Sequence, residues 1–165
     1  MLSLNSINAL GFGLLLLSPT LLQARTGLPL PRFVSLRSGE VNTRVGPGMR
    51  YPLEWVFTRP KMPVEIIAEY ENWRQIRDFE GTTGWVHQSM LSGTRTVMTL
   101  EAADTPYIMR KKPARNERAI ARIEAGVIAT LLECNKTWCR IQAQGYKGWL
   151  PKEALWGVYK DETVK

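Results

Sequence analysis

The sequence predicts an all-β protein made of two tandem copies of one small module. Its 165 residues allow one ordinary domain or two small ones. Gly, Pro, Trp, Val and Thr recur at short intervals and no heptad pattern is present, which favours many short strands joined by turns. A motif that occurs twice in the same order is the second observation behind this prediction.

The repeated motif divides the chain into two related halves. The segment WRQI at 73–76 recurs as WCRI at 138–141, and GWV at 84–86 recurs as GWL at 148–150. The offset between the two copies is 65 residues at the first segment and 64 at the second. A turn that is one residue shorter in the second copy would account for the change. Such an internal repeat is typical of duplicated structural units. We therefore predict modules at residues 25–94 and 95–165.

The first 24 residues resemble a secretory signal. They contain no charged side chain, and an apolar run from Ala9 to Leu17 is followed by Pro19 and a possible cleavage point after Ala24. The alternative is a buried N-terminal helix. The apolar run is shorter than the roughly 20 residues that span a bilayer. We predict a signal peptide over 1–24, no transmembrane segment after its removal, and a periplasmic or secreted protein.

Each element of the first module follows from its local pattern. We predict strands at 41–44, 64–69, 73–79, 84–87 and 91–94, with the second and third joined as a hairpin. Five short strands in about 60 residues are too few for a large sandwich, but they can close into a small barrel. A barrel also removes exposed strand edges.

The first module resembles the bacterial Src-homology-3-like (SH3-like) domain. The segment VNTRVGPG at 41–48, followed by Tyr51 and Pro52, is similar to the opening of that family, and so are Trp73 and residues 84–86. The resemblance covers nearly all of residues 33–157, although the second copy lacks the Gly-Pro-Gly loop. It implies two five-stranded SH3-like barrels, which in cell-envelope proteins are often tied to peptidoglycan or to partner proteins.

The function implied by this resemblance is binding without catalysis. We expect a cell-envelope protein that recognises peptidoglycan or an envelope protein. The alternatives are a structural adaptor for a protein complex and, less favoured, an accessory subunit of a cell-wall hydrolase. Nucleic acid is not an expected partner of an exported chain.

Cys134 and Cys139 are the two cysteines of the chain. If Lys136 and Thr137 form a two-residue turn, the cysteines lie opposite each other as a non-hydrogen-bonded pair, with Cα atoms about 4.5 Å apart. That distance permits a disulfide, and export would place the chain in an oxidising compartment. A disulfide is the favoured interpretation over metal binding or a redox motif.

Two of the six tryptophans are candidates for ligand contact. Trp73 and Trp138 follow hairpin turns and lie on the opposite strand face from Ile76 and Ile141, so both should point outward. An outward tryptophan is a good ligand platform. The other repeated pair, Trp85 and Trp149, is expected to fill the module cores.

Positive charge is concentrated in the second module. The net charge of +7 divides into +2 for residues 25–94 and +5 for residues 95–165. A basic stretch suggests either a solvated loop or a site for an anionic surface. The candidate binding residues in this stretch are Arg110, Lys111, Lys112 and Arg115.

No motif in the sequence supports catalysis, a metal or a cofactor. His87 is the sole histidine, and no spaced nucleophile or carboxylate accompanies it. The neighbouring carboxylates Glu69 and Glu71, and Asp78 and Glu80, are expected to be solvated strand and turn charges. We therefore predict a protein that is not an enzyme.

Overall fold

The fold was analysed in a computed structural model that describes residues 26–101 and 106–165. The predicted signal peptide at 1–24 lies outside the described residues. Within them, no helix has the length and apolar character needed to cross a membrane.

The first module is one antiparallel sheet of seven strands. Its spatial order is β3-β2-β6-β5-β4-β1-β7. A short 3₁₀ helix, Gln88–Met90, separates the last two strands. The strands are β1 (Arg32–Leu36), β2 (Val41–Arg44), β3 (Leu53–Phe57), β4 (Pro63–Tyr70), β5 (Trp73–Arg77), β6 (Thr83–His87) and β7 (Leu91–Ser92).

The second module repeats this topology. Its order, β10-β9-β13-β12-β11-β8-β14, is that of the first sheet with each number raised by seven. A 3₁₀ helix, Lys152–Ala154, occupies the equivalent place. The strands are β8 (Thr96–Thr99), β9 (Tyr107–Arg110), β10 (Ala119–Ile123), β11 (Ile128–Cys134), β12 (Trp138–Ala143), β13 (Tyr146–Pro151) and β14 (Leu155–Trp156).

The predicted all-β tandem fold is confirmed, with two more strands per module than the five expected. The additions in the first module are β1 and β3. Strand β1 pairs with both β4 and β7, and β3 pairs with β2. Neither strand shows a clear alternation of apolar and polar residues, and for this reason the sequence did not predict β1 and β3.

Alternating residues of each strand fill one core per module. In β5 and β6, Ile76 and Val86 are buried while their neighbours face outward. Because all seven strands of the first module contribute to a single cluster, the sheet must curl around it as a small barrel. The cluster consists of Leu36, Val41, Phe57, Met62, Val64, Ile66, Ile76, Val86 and Leu91.

Glycine is required where the sheets curl most closely. A Cβ atom on Gly84 would lie 2.8 Å from Cβ of Thr43, and one on Gly148 would lie 2.5 Å from Cγ of Met109. Both glycines precede the tryptophan of the repeated motif. The Gly-Trp pair therefore marks the close approach of β6 to its neighbour β2, and of β13 to its neighbour β9.

The end of β14 and the residues after it contact the first module. The ring of Phe33 in the first module packs edge-on against Trp156, with centroids 5.1 Å apart. It also packs against Tyr159 in a tilted arrangement, with centroids 4.7 Å apart. The Tyr159 hydroxyl donates to a carboxylate oxygen of Glu65 at 2.8 Å, and the Trp156 indole donates to the carbonyl of Pro63 at 3.3 Å. The C-terminal segment 158–165 is thus part of the contact between the modules.

Candidate functional site

Trp138 faces outward from the second module, as the sequence predicts. Strand β12 buries Cys139, Ile141 and Ala143, so Trp138 lies on the opposite face, half-buried. Directly across from it is Pro151, the last residue of β13. The two rings form an apolar surface at the end of the barrel.

A groove runs over this surface. Its two adjoining cavities have volumes of about 240 and 300 Å³ and share Arg115, Trp138, Pro151 and Glu153. We call it the Trp138 groove; it is lined by Pro106, Tyr107, Ile108, Arg110, Arg115, Thr137, Trp138, Pro151 and Glu153.

Two of the predicted basic residues line the Trp138 groove. Arg110 donates a hydrogen bond from Nη1 to the carbonyl of Glu117 at 2.7 Å, which uses one of the five N–H donors of its guanidinium. Arg115 lies 3.5 Å from Glu153, and both side chains are largely exposed. The groove therefore combines an aromatic surface with groups that can bind carboxylates and one that can bind an amine.

The other two basic residues lie elsewhere. Lys111 lines a separate groove of about 490 Å³ with Arg118, Arg140 and Lys147. Lys112 is exposed in the loop between β9 and β10, with its ammonium 3.9 Å from Glu117. The basic stretch thus contributes to two surfaces and does not form one patch.

Trp73 occupies the equivalent position in the first module but has different neighbours. It lies opposite His87 and Tyr70 in the sheet. Its ring packs edge-on against the His87 imidazole with centroids 5.7 Å apart, and His87 Nδ1 is 2.7 Å from the Ser89 hydroxyl. In the first module the imidazole of His87 therefore occupies the position that Pro151 has opposite Trp138.

The expectation that Trp85 and Trp149 fill the cores is wrong. Both are half-buried and lie outside the two hydrophobic clusters. Because Gly84 and Val86 point inward, strand alternation places Trp85 on the outer face. Trp149 lies there between Arg140 and Arg110 on the neighbouring strands.

The predicted disulfide is present. Cys134 and Cys139 are directly opposite in the β11–β12 hairpin, with Cα atoms 4.1 Å apart. Asn135 closes the turn, because its side-chain oxygen accepts from the backbone N–H groups of Thr137 and Trp138. The disulfide therefore fixes the strand that carries Trp138.

Two carboxylates expected to be solvated are buried. Glu69 accepts hydrogen bonds from Arg32 and Thr26 and lies 3.2 Å from Arg74 Nε. Burial alone would raise the pKa of Glu69, but the hydrogen bonds from Arg32 and Thr26 outweigh it and the pKa is lowered. The Asp78 side chain accepts from the backbone of Glu80 and Thr82 and holds their turn together.

A lysine-rich pocket was not anticipated from the sequence. It has a volume of about 400 Å³ and adjoins the Trp138 groove, because both are lined by Thr137 and Glu153. We call it the lysine pocket; it is lined by Lys136, Thr137, Lys152, Glu153, Leu155, Val158 and Lys160. These residues come from a turn, a 3₁₀ helix and the C-terminal segment, and no sequence spacing predicts their convergence.

No group of three or more His, Cys, Asp or Glu side chains suited to a metal ion occurs among residues 26–101 and 106–165. The absence of a cofactor stays a prediction.

Comparison with known families identifies both modules. The model of the bacterial SH3 domain family matches residues 37–93 and 103–157. The two matches fall on the two sheets and include Trp73 and Trp138.

Individual relatives are more distant. One is a protein of Bacillus subtilis (strain 168) named "Putative N-acetylmuramoyl-L-alanine amidase YrvJ", which is 25% identical over 126 residues, 72% of this chain and 24% of the relative. The chain thus spans about a quarter of that relative. Two solved structures from Trichomonas vaginalis, NlpC2 and NlpC1, are each 18% identical, with TM-scores of 0.34 and 0.33. They align with 76% and 84% of this chain and with 48% and 50% of their own chains.

Proposed function

The chain belongs to the bacterial SH3 domain family, and on that premise we propose that it is a non-catalytic binding protein of the cell envelope that holds peptidoglycan. The single observation that carries this proposal is the Trp138 groove, in which an outward tryptophan lies between arginines and a glutamate. The proposed place of action is the periplasm or the outside of the cell, which fits the disulfide. The proposed module boundaries remain 25–94 and 95–165.

The chemistry of the groove fits a peptide-bearing polymer. Trp138 and Pro151 offer an apolar surface for a ring or a peptide backbone. Arg110 and Arg115 suit carboxylates, and Glu153 suits an amine. The amidase relative, which is named for a muramoyl-alanine bond, supports a cell-wall ligand and not a particular activity of this chain.

We test this proposal by co-sedimentation with purified sacculi at low and high salt. Trp138→Ala should weaken binding about tenfold, because a well-packed aromatic anchor carries much of the energy of a binding surface. Trp73→Ala is the matched control at the equivalent position, and we expect it to retain more than half of the binding.

Each alternative outcome has its own meaning. Binding abolished by salt alone, with Trp138→Ala equal to wild type, would indicate weak adhesion through the basic residues. No binding at either salt concentration would contradict the proposal, and turnover of the sacculi would contradict its non-catalytic part.

A structural adaptor is the second candidate, and one surface favours it. Trp55, Val56 and Phe79 are 57%, 41% and 40% exposed and line a shallow cleft of the first module. Exposed apolar surface of this kind marks contact sites for partner proteins. An accessory subunit of a cell-wall hydrolase is the less favoured variant of this role.

A further inference from the structure

We infer that the lysine pocket binds a carboxylate carried on a short aliphatic chain, such as the end of a peptide. The inference deepens the proposed function, on which it rests for the identity of the natural polymer. Four features of the pocket support it: a buried ammonium, an apolar floor, continuity with the Trp138 groove, and the different residues at the equivalent place in the first module.

The buried ammonium belongs to Lys152, which is only 6% exposed. It donates to the carbonyls of Lys160 at 3.0 Å and Glu162 at 2.7 Å. An ammonium has three N–H donors, so among the described residues one donor remains for a ligand. Lysine is rarely buried unless its charge is paired, and two carbonyl groups do not neutralise it.

The carboxylate of Glu162, which interacts with the charge of Lys152, is already engaged. Glu162 accepts two hydrogen bonds from Arg95, at 2.7 and 3.1 Å, and one from the backbone of Tyr159 at 3.0 Å. Burial alone would raise the pKa of Glu162, but Arg95, Tyr159 and the charge of Lys152 together lower it. The pocket side of Lys152 therefore keeps its positive character.

The floor of the pocket is apolar, and its rim carries two exposed lysines and one carboxylate, that of Glu153, which lies 3.5 Å from Arg115. Leu155 and Val158 are 5% and 9% exposed, whereas Lys136 and Lys160 are exposed lysines of the lining. A bare anion would leave the floor unused, and a purely apolar ligand would leave the ammonium groups unpaired. A carboxylate attached to a small aliphatic group satisfies both parts.

The turn and the 3₁₀ helix that form the pocket are held together. The backbone N–H of Lys152 donates to the carbonyl of Thr137 at 2.9 Å, and Thr137 also lines the groove beside Trp138. A chain lying across Trp138 therefore has the lysine pocket next to it, on the other side of Thr137.

The first module lacks this arrangement although its backbone is the same. The N–H of Gln88 donates to the carbonyl of Asn72 at 2.8 Å, as Lys152 does to Thr137. The residues equivalent to Lys136 and Lys152 are Glu71 and Gln88. The positive charge is thus specific to the second module.

The test is titration of the oxidised protein with N-acetyl-alanyl-alanine, its C-terminal amide, N-acetyl-alanine and inorganic phosphate. Methyl signals of Leu155 and Val158, followed by NMR, report on the floor of the pocket. We expect both carboxylates to move these signals and the amide to bind about tenfold more weakly, the effect of losing one charge-assisted hydrogen bond.

Paired variants then test the lysines. Lys136→Gln with Lys160→Gln should raise the Kd of the dipeptide about tenfold, since two attractive charges are removed. Lys111→Gln with Lys147→Gln removes the same charge from the other basic groove and should change the Kd less than about twofold. Because all four lysines are exposed, both proteins should fold. Lys152→Met is a further variant whose folding would be checked first.

Several results would overturn the inference. They are equal binding of the carboxylate and the amide, unchanged Leu155 and Val158 signals, equal Kd values for the two double variants, and phosphate binding as tight as that of the dipeptide. Binding of N-acetyl-alanine as tight as that of the dipeptide would restrict the ligand to a single residue. If the wild-type protein binds sacculi but not the dipeptide, this inference alone is overturned. If it binds the dipeptide but not sacculi, the proposed function alone is overturned.

Discussion

The same hairpin position holds a charge pair in the first module and a disulfide in the second. Glu69 lies opposite Arg74 between β4 and β5, and Cys134 lies opposite Cys139 between β11 and β12. Both hairpins have a register shift just before this pair, at Ile66/Ala68 and Leu131/Glu133. The backbone is therefore the same, and only the side-chain chemistry of the cross-link differs.

Because the side chains differ, each module also uses this position to hold a different segment of the chain. Glu69 also binds Arg32 and Thr26, so the first module uses it to hold the segment that precedes β1. Cys134 exchanges backbone hydrogen bonds with Val164, so the second module attaches the C-terminal segment there. The same site thus fastens a segment outside the sheet in each module, by charge in the first and by backbone pairing beside a disulfide in the second.

The largest effect should come from breaking the charge pair. Glu69→Ala leaves the buried Arg74 guanidinium without its carboxylate and should lower the free energy of unfolding by about 3–5 kcal/mol, measured by urea denaturation. Glu133→Ala, which removes the exposed partner of Arg140, is the control and should cost less than about 1 kcal/mol. Equal losses of unfolding free energy in the two variants would show that the buried pair contributes no more to stability than the exposed pair.

A smaller effect is expected when the disulfide is removed. The double variant Cys134→Ala with Cys139→Ala should lose about 2 kcal/mol, because the loop closed by the bond is short. Denaturation with and without dithiothreitol provides the check, since wild type should respond to the reductant and the variant should not. A reductant-insensitive wild type with its thiols demonstrably free would contradict the prediction.

The smallest effect on stability should be the response to acid. This response distinguishes the charge pair, which titrates, from the disulfide, which does not. The folded pKa values of Glu69 and Glu162 are lowered, so their stabilisation is present above the unfolded carboxyl pKa of about 4.3 and is lost as the pH falls through the folded pKa. We expect the free energy of unfolding to start falling below about pH 5 and to continue falling until the pH is below the folded pKa values. Glu69→Gln should flatten this response, whereas the double cysteine variant should keep it because a disulfide does not titrate. An unchanged acid response in Glu69→Gln would refute the assignment.

Much of the fold was predictable because it depends on local alternation. The repeated Trp and Gly-Trp segments fixed the order of β5, β6, β12 and β13, and the turn at Lys136 and Thr137 predicted the cysteine register. The same alternation, applied to Gly84 and Val86, should have placed Trp85 outside. The incorrect expectation arose from treating a large apolar residue as a core residue, although both cores consist mostly of aliphatic side chains and Phe57 is the one aromatic residue in the two clusters of the described residues.

By itself, the amino-acid sequence determined the duplication, the all-β class, the outward position of Trp73 and Trp138, and the pairing of the cysteines. These properties depend on residues close together in the chain, where strand period and turn length decide the outcome. Only the tertiary structure decided that Glu69 is buried among Arg32, Arg74 and Thr26, and that Lys152 meets the C-terminal segment beside Leu155. Those contacts join distant segments, and their charges are stabilised by partners that no local pattern identifies.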